Sequence, residues 1–300
     1  MKNTETKRLH KMRKWDIAFI TIMLAIPIAH FIVFYLVVNV NSFLMAFQLP
    51  TGAWSMFSFQ NAWYNLTTGG SVMQTALKNT AIYFVKDMLM MPFNLLVAYL
   101  FWRKLRGYRV FQILLYMPGI ISGVAIATMF SSFIAPTGPI GKILESMGVD
   151  PIPEFLANSD YATRTILFYT IWLGWGGNML LFGGALARIP IEIVESARLD
   201  GIGSLKEFIF IVFPLVWTTY STLLILSLTG IFGASGPILL FTKGNHDTMT
   251  LGYWIFDKIK YVGPSAYNEV AATGMILTVI GVPVIMFLRW LIERIPTVEY

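Results

Sequence analysis

The residues of this sequence able to do chemistry are few, and they gather in IPIEIVESARLDGIGSLKEFIFIVFP, residues 189–214. It is the one long mixture of charged and apolar residues set between two stretches fit only for lipid. Two short helices are predicted in it. Pro190 suits a first helical position, where its missing N–H costs nothing, and Glu192 and Glu195 then lie near the positive helix start. Gly201 and Gly203 end that helix, and Ser204 with Glu207 three residues later predicts a capping box opening the second. Ile189, Ile191, Ile193, Val194 and Leu199 spread around much of the first helix. A helix apolar on several sides is buried on several sides, which places this one between the rest of the chain and something else.

Elsewhere such residues are sparse. His10, His30 and His246 have no metal-ligand spacing, and Tyr35, Asn41 and Ser42 near His30 form no nucleophile arrangement. The absence of cysteine excludes disulfides and thiolate chemistry. No GxxxxGK[ST] loop is present to cradle phosphates, so the chain has no visible means of using ATP itself. Lys86 and Asp87 interrupt an apolar run, which is costly in lipid unless they pair or face a cavity. A short dip toward the outer headgroups, or an ion pair with a neighbouring helix, is the expected resolution. The polar and glycine positions of WLGWGGN, Trp172 to Asn178, gain nothing in a membrane helix unless they pack or bind.

Hydropathy sets the elements that must position these groups. Hydrophobic residues make up 56% of the 300 and charged residues 13%, unlike a soluble domain. Charge-free runs at 17–77, 88–102, 110–141, 165–187, 208–242 and 270–288 can satisfy their backbone in lipid only as helices. An all-α integral membrane fold is therefore predicted. A basic tail, 1–16, precedes one membrane domain, 17–300, with spans at about 17–40, 80–102, 110–134, 163–186, 214–240 and 266–292. The apolar run after the tail is too long for a signal peptide and lacks a cleavage site.

Between the spans, 41–77 carries Trp54, Phe57, Phe59, Trp63 and Tyr64, which suit an outer interface. Pro118, Gly119 and Gly123 permit a kink in the third span. Residues 135–162, with four prolines and a short helix around 140–147, form one outer loop, and 241–265 another. The tail, the turn RKLRGYR (103–109), residues 188–206 and the C-terminal end hold 15 of the 22 Lys and Arg, whereas 41–73 holds none. That asymmetry puts both termini in the cytoplasm and attributes the net charge of +6 to membrane orientation rather than nucleic acid.

The spacing within 189–214 resembles a family. Bacterial ABC importer permeases carry Glu-Ala-Ala, three residues, Gly, nine residues, Ile, one residue, Leu-Pro in a cytoplasmic loop. Glu195-Ser196-Ala197, Gly201, Ile211 and Phe213-Pro214 keep every spacing, with Ser196 and Phe213 as mild departures. The wider string, with Ile189-Pro190, Glu192 and Asp200-Gly201, resembles the carbohydrate-uptake branch. The flanks Gly107-Tyr108-Arg109 and Tyr116-Met117-Pro118 are similar to it as well.

The resemblance implies a six-helix permease of a type I importer, without an ATPase site of its own, in a bacterial cytoplasmic membrane. It implies that the loop docks in a groove of an ATP-binding subunit through Glu192, Glu195, Ser196, Ala197, Asp200 and Gly201. Glu195 would pair with a basic residue there, and Ala197 and Gly201 would allow close approach. The implied partners are a second permease chain, two ATPase subunits that bind ATP and Mg, and an external solute-binding protein. The end of the chain, without a Gly-rich tail, implies a heterodimer. A sugar, expected to be an oligosaccharide, would pass by Thr170, Leu173, Gly174, Gly177 and Ser227, where Trp172-Leu173-Gly174 fits the family pattern. Trp175 and Asn178 are further candidates, since aromatic faces and hydrogen-bonding groups suit carbohydrate generally. Gly230, Ile231 and Ala234 fall at pathway positions that are more polar or aromatic in some relatives. The same machine for a glycerol phosphoester, polyamine or peptide, an ion-coupled carrier resting on Asp87, and a membrane enzyme are the alternatives.

Overall fold

The computed structural model describes residues 14–296, so the basic tail up to residue 13 lies outside the described residues. All regular elements among them are helical. The order is α1 (Lys14–His30), α2 (Val38–Ala46), α3 (Phe57–Thr67), α4 (Val72–Trp102), α5 (Tyr108–Ile120), α6 (Gly123–Ile134), α7 (Pro139–Ser146) and α8 (Ala162–Leu173). There follow α9 (Trp175–Leu186), α10 (Ile191–Leu199), α11 (Ser204–Glu207), α12 (Phe213–Thr229), α13 (Ile238–Phe241), α14 (Leu251–Asp257) and α15 (Tyr267–Glu293). Wider helical turns at Phe31–Val37 and Phe208–Val212 join α1 to α2 and α11 to α12. Among the described residues, six helical stretches are long and apolar enough to cross a membrane: 18–46, 72–102, 123–146, 162–186, 204–229 and 251–293.

Four boundaries differ from the sequence expectation. The second helix starts at Val72 rather than near residue 80, because the Ser71 hydroxyl accepts the Gln74 N–H and opens it early. The third span is broken: Ile121 and Ser122 take extended conformations between α5 and α6, close to the glycines expected to permit a kink. The fifth begins ten residues before Pro214 and ends at Thr229, with an irregular turn at 234–237 before α13. The fourth pauses at Gly174.

The expected outer loop 241–265 contains α14, and that helix is tied down. The Asn79 amide of α4 donates to the carbonyls of Asp247 (2.7 Å) and Met249 (2.8 Å), and the Thr80 hydroxyl accepts the Leu251 N–H (2.8 Å). Leu251 and Trp254 then pack on Met73 and Leu277. Asn268 of α15 likewise donates to the carbonyls of Met45 and Gln48, capturing the free end of α2. In each case a buried amide satisfies carbonyls that a helix end or loop leaves open.

The largest core cluster joins α4 (Met91, Leu95, Ala98, Tyr99) to α9 (Met179, Phe182, Leu186) and reaches Val194 of α10 and Val216 of α12. The most apolar window of 18–46 buries nothing within the chain and presents its whole surface outward, as a lipid-facing helix does.

The corner between α6 and α7 depends on glycine. A Cβ built on Gly141 would stand 1.9 Å from the Pro136 carbonyl oxygen, whereas one on Gly183 in α9 would meet nothing within 4 Å. Gly141→Ala is therefore expected to destabilise the detergent-solubilised chain by about 1–3 kcal/mol, as overpacked sites do. Gly183→Ala should leave thermal unfolding unchanged or slightly later; equal effects would exclude the close contact.

Candidate functional site

Two sites emerge, joined by α4. The first is built on α10. Pro190 is the residue before the helix rather than its first member, and its carbonyl accepts the Ile193 N–H. The helix ends on Gly201, whose φ of +78° few other residues tolerate. There the Ile202 N–H reaches back to Ala197 and the Gly201 N–H to Arg198, satisfying two terminal carbonyls.

Val194 (0% exposed) and Ala197 (7%) face the rest of the chain. Glu192, Glu195, Ser196, Asp200 and Gly201 are exposed, as are Ile191 and Leu199. Five of the six residues expected at a docking surface thus lie on the open side. Ala197 is turned inward, where its small side chain serves packing within this chain.

The capping box predicted from Ser204 and Glu207 does not form. Gly203 precedes the helix, and the Ser204 hydroxyl accepts instead from Arg103 Nη1. Glu207, 1% exposed, accepts from Arg198 Nε (2.9 Å) and Nη2 (3.1 Å) and from the Tyr99 hydroxyl (2.9 Å), with Arg103 Nε at 4.0 Å. A carboxylate with charged donors in reach has no reason to bond a backbone N–H. The hydrogen bond to Glu207 raises the Arg198 guanidinium above its ordinary value, against the opposing effect of desolvation. Sequence reasoning took Glu207 as a cap and missed this cluster. The available signal was a glutamate opening an apolar run, nine residues after an arginine.

The second site is a cavity of about 230 Å³ between α4, α8–α9 and α12. Thr170, Gly174, Asn178 and Ser227 line it, all four expected on the pathway. Lys86, Asp87 and Asn94 of α4 complete its polar wall. Lys86 Nζ lies 2.5 Å from Asp87 Oδ1, so the charges pair with each other on one helix rather than with a neighbouring one. The Lys86 ammonium also sits 5.9 Å from the centre of the Tyr83 ring. Asn94 is 1% exposed, and its Oδ1 is buried with no hydrogen-bond partner among the described residues. An acceptor left this way costs about 1–3 kcal/mol.

The remaining expected pathway residues disperse. Leu173 lines an adjoining groove of about 350 Å³ that Thr170 and Gly174 share. Trp175 packs on the core cluster, and Gly177 lines a separate groove beside Tyr116 and Gly119. Gly230 and Ile231 lie where the fifth helix stops, and Ala234 packs with Tyr83 and Ile166; none of the three lines the cavity. The missed residue is Asn94, an amide in the apolar string LMMPFNLLV whose position gave no hint of the space beside it.

The Glu207 cluster makes a stability prediction. Arg198→Met takes from the buried Glu207 carboxylate its two-hydrogen-bond partner and is expected to cost about 3–5 kcal/mol, whereas Glu207→Leu leaves a half-exposed arginine that water can reach and should cost less. The double variant should lose less than the sum of the two, measured by denaturant unfolding in detergent; additive losses would mean that the pair does not interact.

The comparisons with known proteins agree with this architecture. The family model described as "Binding-protein-dependent transport system inner membrane component" matches residues 90–296. The lactose transport system permease protein LacF of Rhizobium radiobacter is 29% identical over 231 residues, 74% of this chain and 76% of that one. The arabinooligosaccharides transport system permease protein AraP of Bacillus subtilis (strain 168) is 27% identical over 263 residues, 83% of this chain and 80% of that one. A solved bacterial ABC transporter involved in import of the acidic polysaccharide alginate superposes with a TM-score of 0.79 over 95% of this chain and 98% of its own, at 22% identity, a likeness of fold. The chain belongs to the family of inner-membrane components of binding-protein-dependent transport systems.

Proposed function

We propose that this chain is the permease subunit of an ATP-driven importer that carries a sugar, an oligosaccharide by preference, across a bacterial cytoplasmic membrane by alternating access. The observation that carries the proposal is the path from α10 to the cavity. The open face of α10 presents Glu192, Glu195 and Ser196, while its other side is held to α4 and α11 through Glu207. Tyr99, in that hold, and Asn94, in the cavity wall, are five residues apart on α4, about 7.5 Å along the axis. A partner that displaces α10 therefore acts on helices that line the cavity, as one rigid body moving with its neighbour.

In this proposal an ATP-binding subunit seats α10 in a groove, with Glu195 paired to a basic residue there. ATP and Mg belong to two such subunits, a second permease chain completes the membrane domain, and a solute-binding protein delivers sugar from outside. Both termini and the α10 end face the cytoplasm in this reading, which the Lys and Arg asymmetry supports. The sugar assignment draws on the relatives named for lactose and arabinooligosaccharides, and on a cavity whose polar groups suit hydroxyls.

Glu195→Ala is expected to leave membrane insertion intact and to lower ATP-driven uptake at least tenfold, since truncating one member of a buried intermolecular charge pair costs about 2–5 kcal/mol of association. Undiminished ATP-coupled uptake in that variant would remove the docking role. Proteoliposome uptake that follows an ion gradient and ignores ATP would replace the importer with a carrier.

A further inference from the structure

The cavity wall supplied by α4 has an electrical property that the sugar assignment alone does not require. Among the residues lining it there is one cation, Lys86, and one anion, Asp87. They neutralise each other at 2.5 Å. Lys86 is the more enclosed, with its side chain 15% exposed against 48% for Asp87. An anionic solute reaching for Lys86 would have to compete with a carboxylate already seated, and a cationic one would have to draw Asp87 away from Lys86. What the wall leaves free is acceptors. The buried Asn94 Oδ1 has no partner among the described residues, and Asn94 stands two helical turns from the half-exposed Asp87 carboxylate on the same wall. Oxygen acceptors without a net charge call for hydroxyl donors rather than for a counter-ion.

We propose that α4 sets the charge selectivity of the pathway: the Lys86–Asp87 pair, with Asn94 as an acceptor for a solute hydroxyl, makes the cavity select uncharged, polyhydroxylated solutes and discriminate against uronates and phosphoesters. The proposal rests on the cavity being part of the solute path. It gives α4 a role in selectivity beside the positions on the fourth and fifth spans.

The absence of cysteine in this chain makes the test direct. Ser227→Cys places a single thiol on the cavity wall opposite α4. Membrane vesicles carrying the assembled complex are treated with an anionic and a cationic methanethiosulfonate of similar size, with and without ATP, and modification of this chain is followed by mass spectrometry. The anionic-to-cationic rate ratio should lie near that of a free thiol in solution. It should rise at least threefold on adding Asp87→Asn, fall at least threefold on adding Lys86→Met, and return to the parental value when both are present. A reactive thiol whose ratio ignores both substitutions overturns the proposal and leaves the importer reading standing. A thiol that neither reagent reaches in any state removes the cavity from the solute path, and both readings fall.

A second measurement reads selectivity itself. Vesicles are offered a mixed hydrolysate of neutral and uronate-bearing oligosaccharides, and their contents are analysed. The parental complex should enrich neutral species, and Asp87→Asn should raise the share of uronates several-fold. Equal accumulation of both classes by the parental complex overturns the proposal.

Discussion

A single buried carboxylate organises the α10 end of this protein. Glu207 is removed from water almost completely, and such a charge is tolerated only when partners surround it. Arg198 meets it with two hydrogen bonds, Tyr99 with one, and Arg103 stands within reach of its charge. Those partners come from α10 and from the end of α4, while Glu207 itself sits at the head of the fifth membrane helix. The end of α4 is thereby held at one point with α10 and α11, about a hundred residues further along the chain. Their relative positions are set by hydrogen-bond directions, which apolar packing alone would leave free to slide.

The same logic recurs at the opposite sites of helix termination. Asn79 and Asn268 each satisfy two carbonyls that the chain cannot pair within a helix, and in doing so fix α14 and the end of α2. A membrane protein has little hydrophobic drive to order one apolar helix against another, because lipid is as apolar as the neighbour. Polar groups with few alternatives then decide the arrangement. The cavity is the complement of this rule. Asn94 is as buried as Asn79 but has its side-chain carbonyl oxygen unsatisfied at the cavity wall.

Much of the architecture was legible before any coordinates. Each of the six charge-free runs overlaps a helical stretch long and apolar enough to cross a membrane, since backbone groups in lipid must bond within a helix or a closed barrel. The glycine at 201 marked the end of α10, and its positive φ is the reason that position suits glycine. Of the residues expected on a pathway, Thr170, Gly174, Asn178 and Ser227 line one cavity, but Gly177 and Trp175 lie on the same short motif and point elsewhere. Helical spacing assigns residues to faces, and it does not say which face meets empty space. The broken third span and the early start of the fifth helix were misplaced because boundaries depend on local caps and on tertiary contacts that hydropathy averages away.

Sequence by itself determined that the chain is helical, that it holds six long apolar stretches, and that the charged residues of 189–214 stand apart from them. Each of these follows from composition or periodicity, properties that a linear string carries in full. Only the tertiary structure decided that Glu207 is a clamp rather than a cap, that Ala197 faces inward, and that Lys86 and Asp87 neutralise each other beside Asn94 at a cavity. Those outcomes depend on which donors come within about 3 Å of which acceptors. Residues as far apart as Tyr99 and Glu207 acquire that relation only when helices pack.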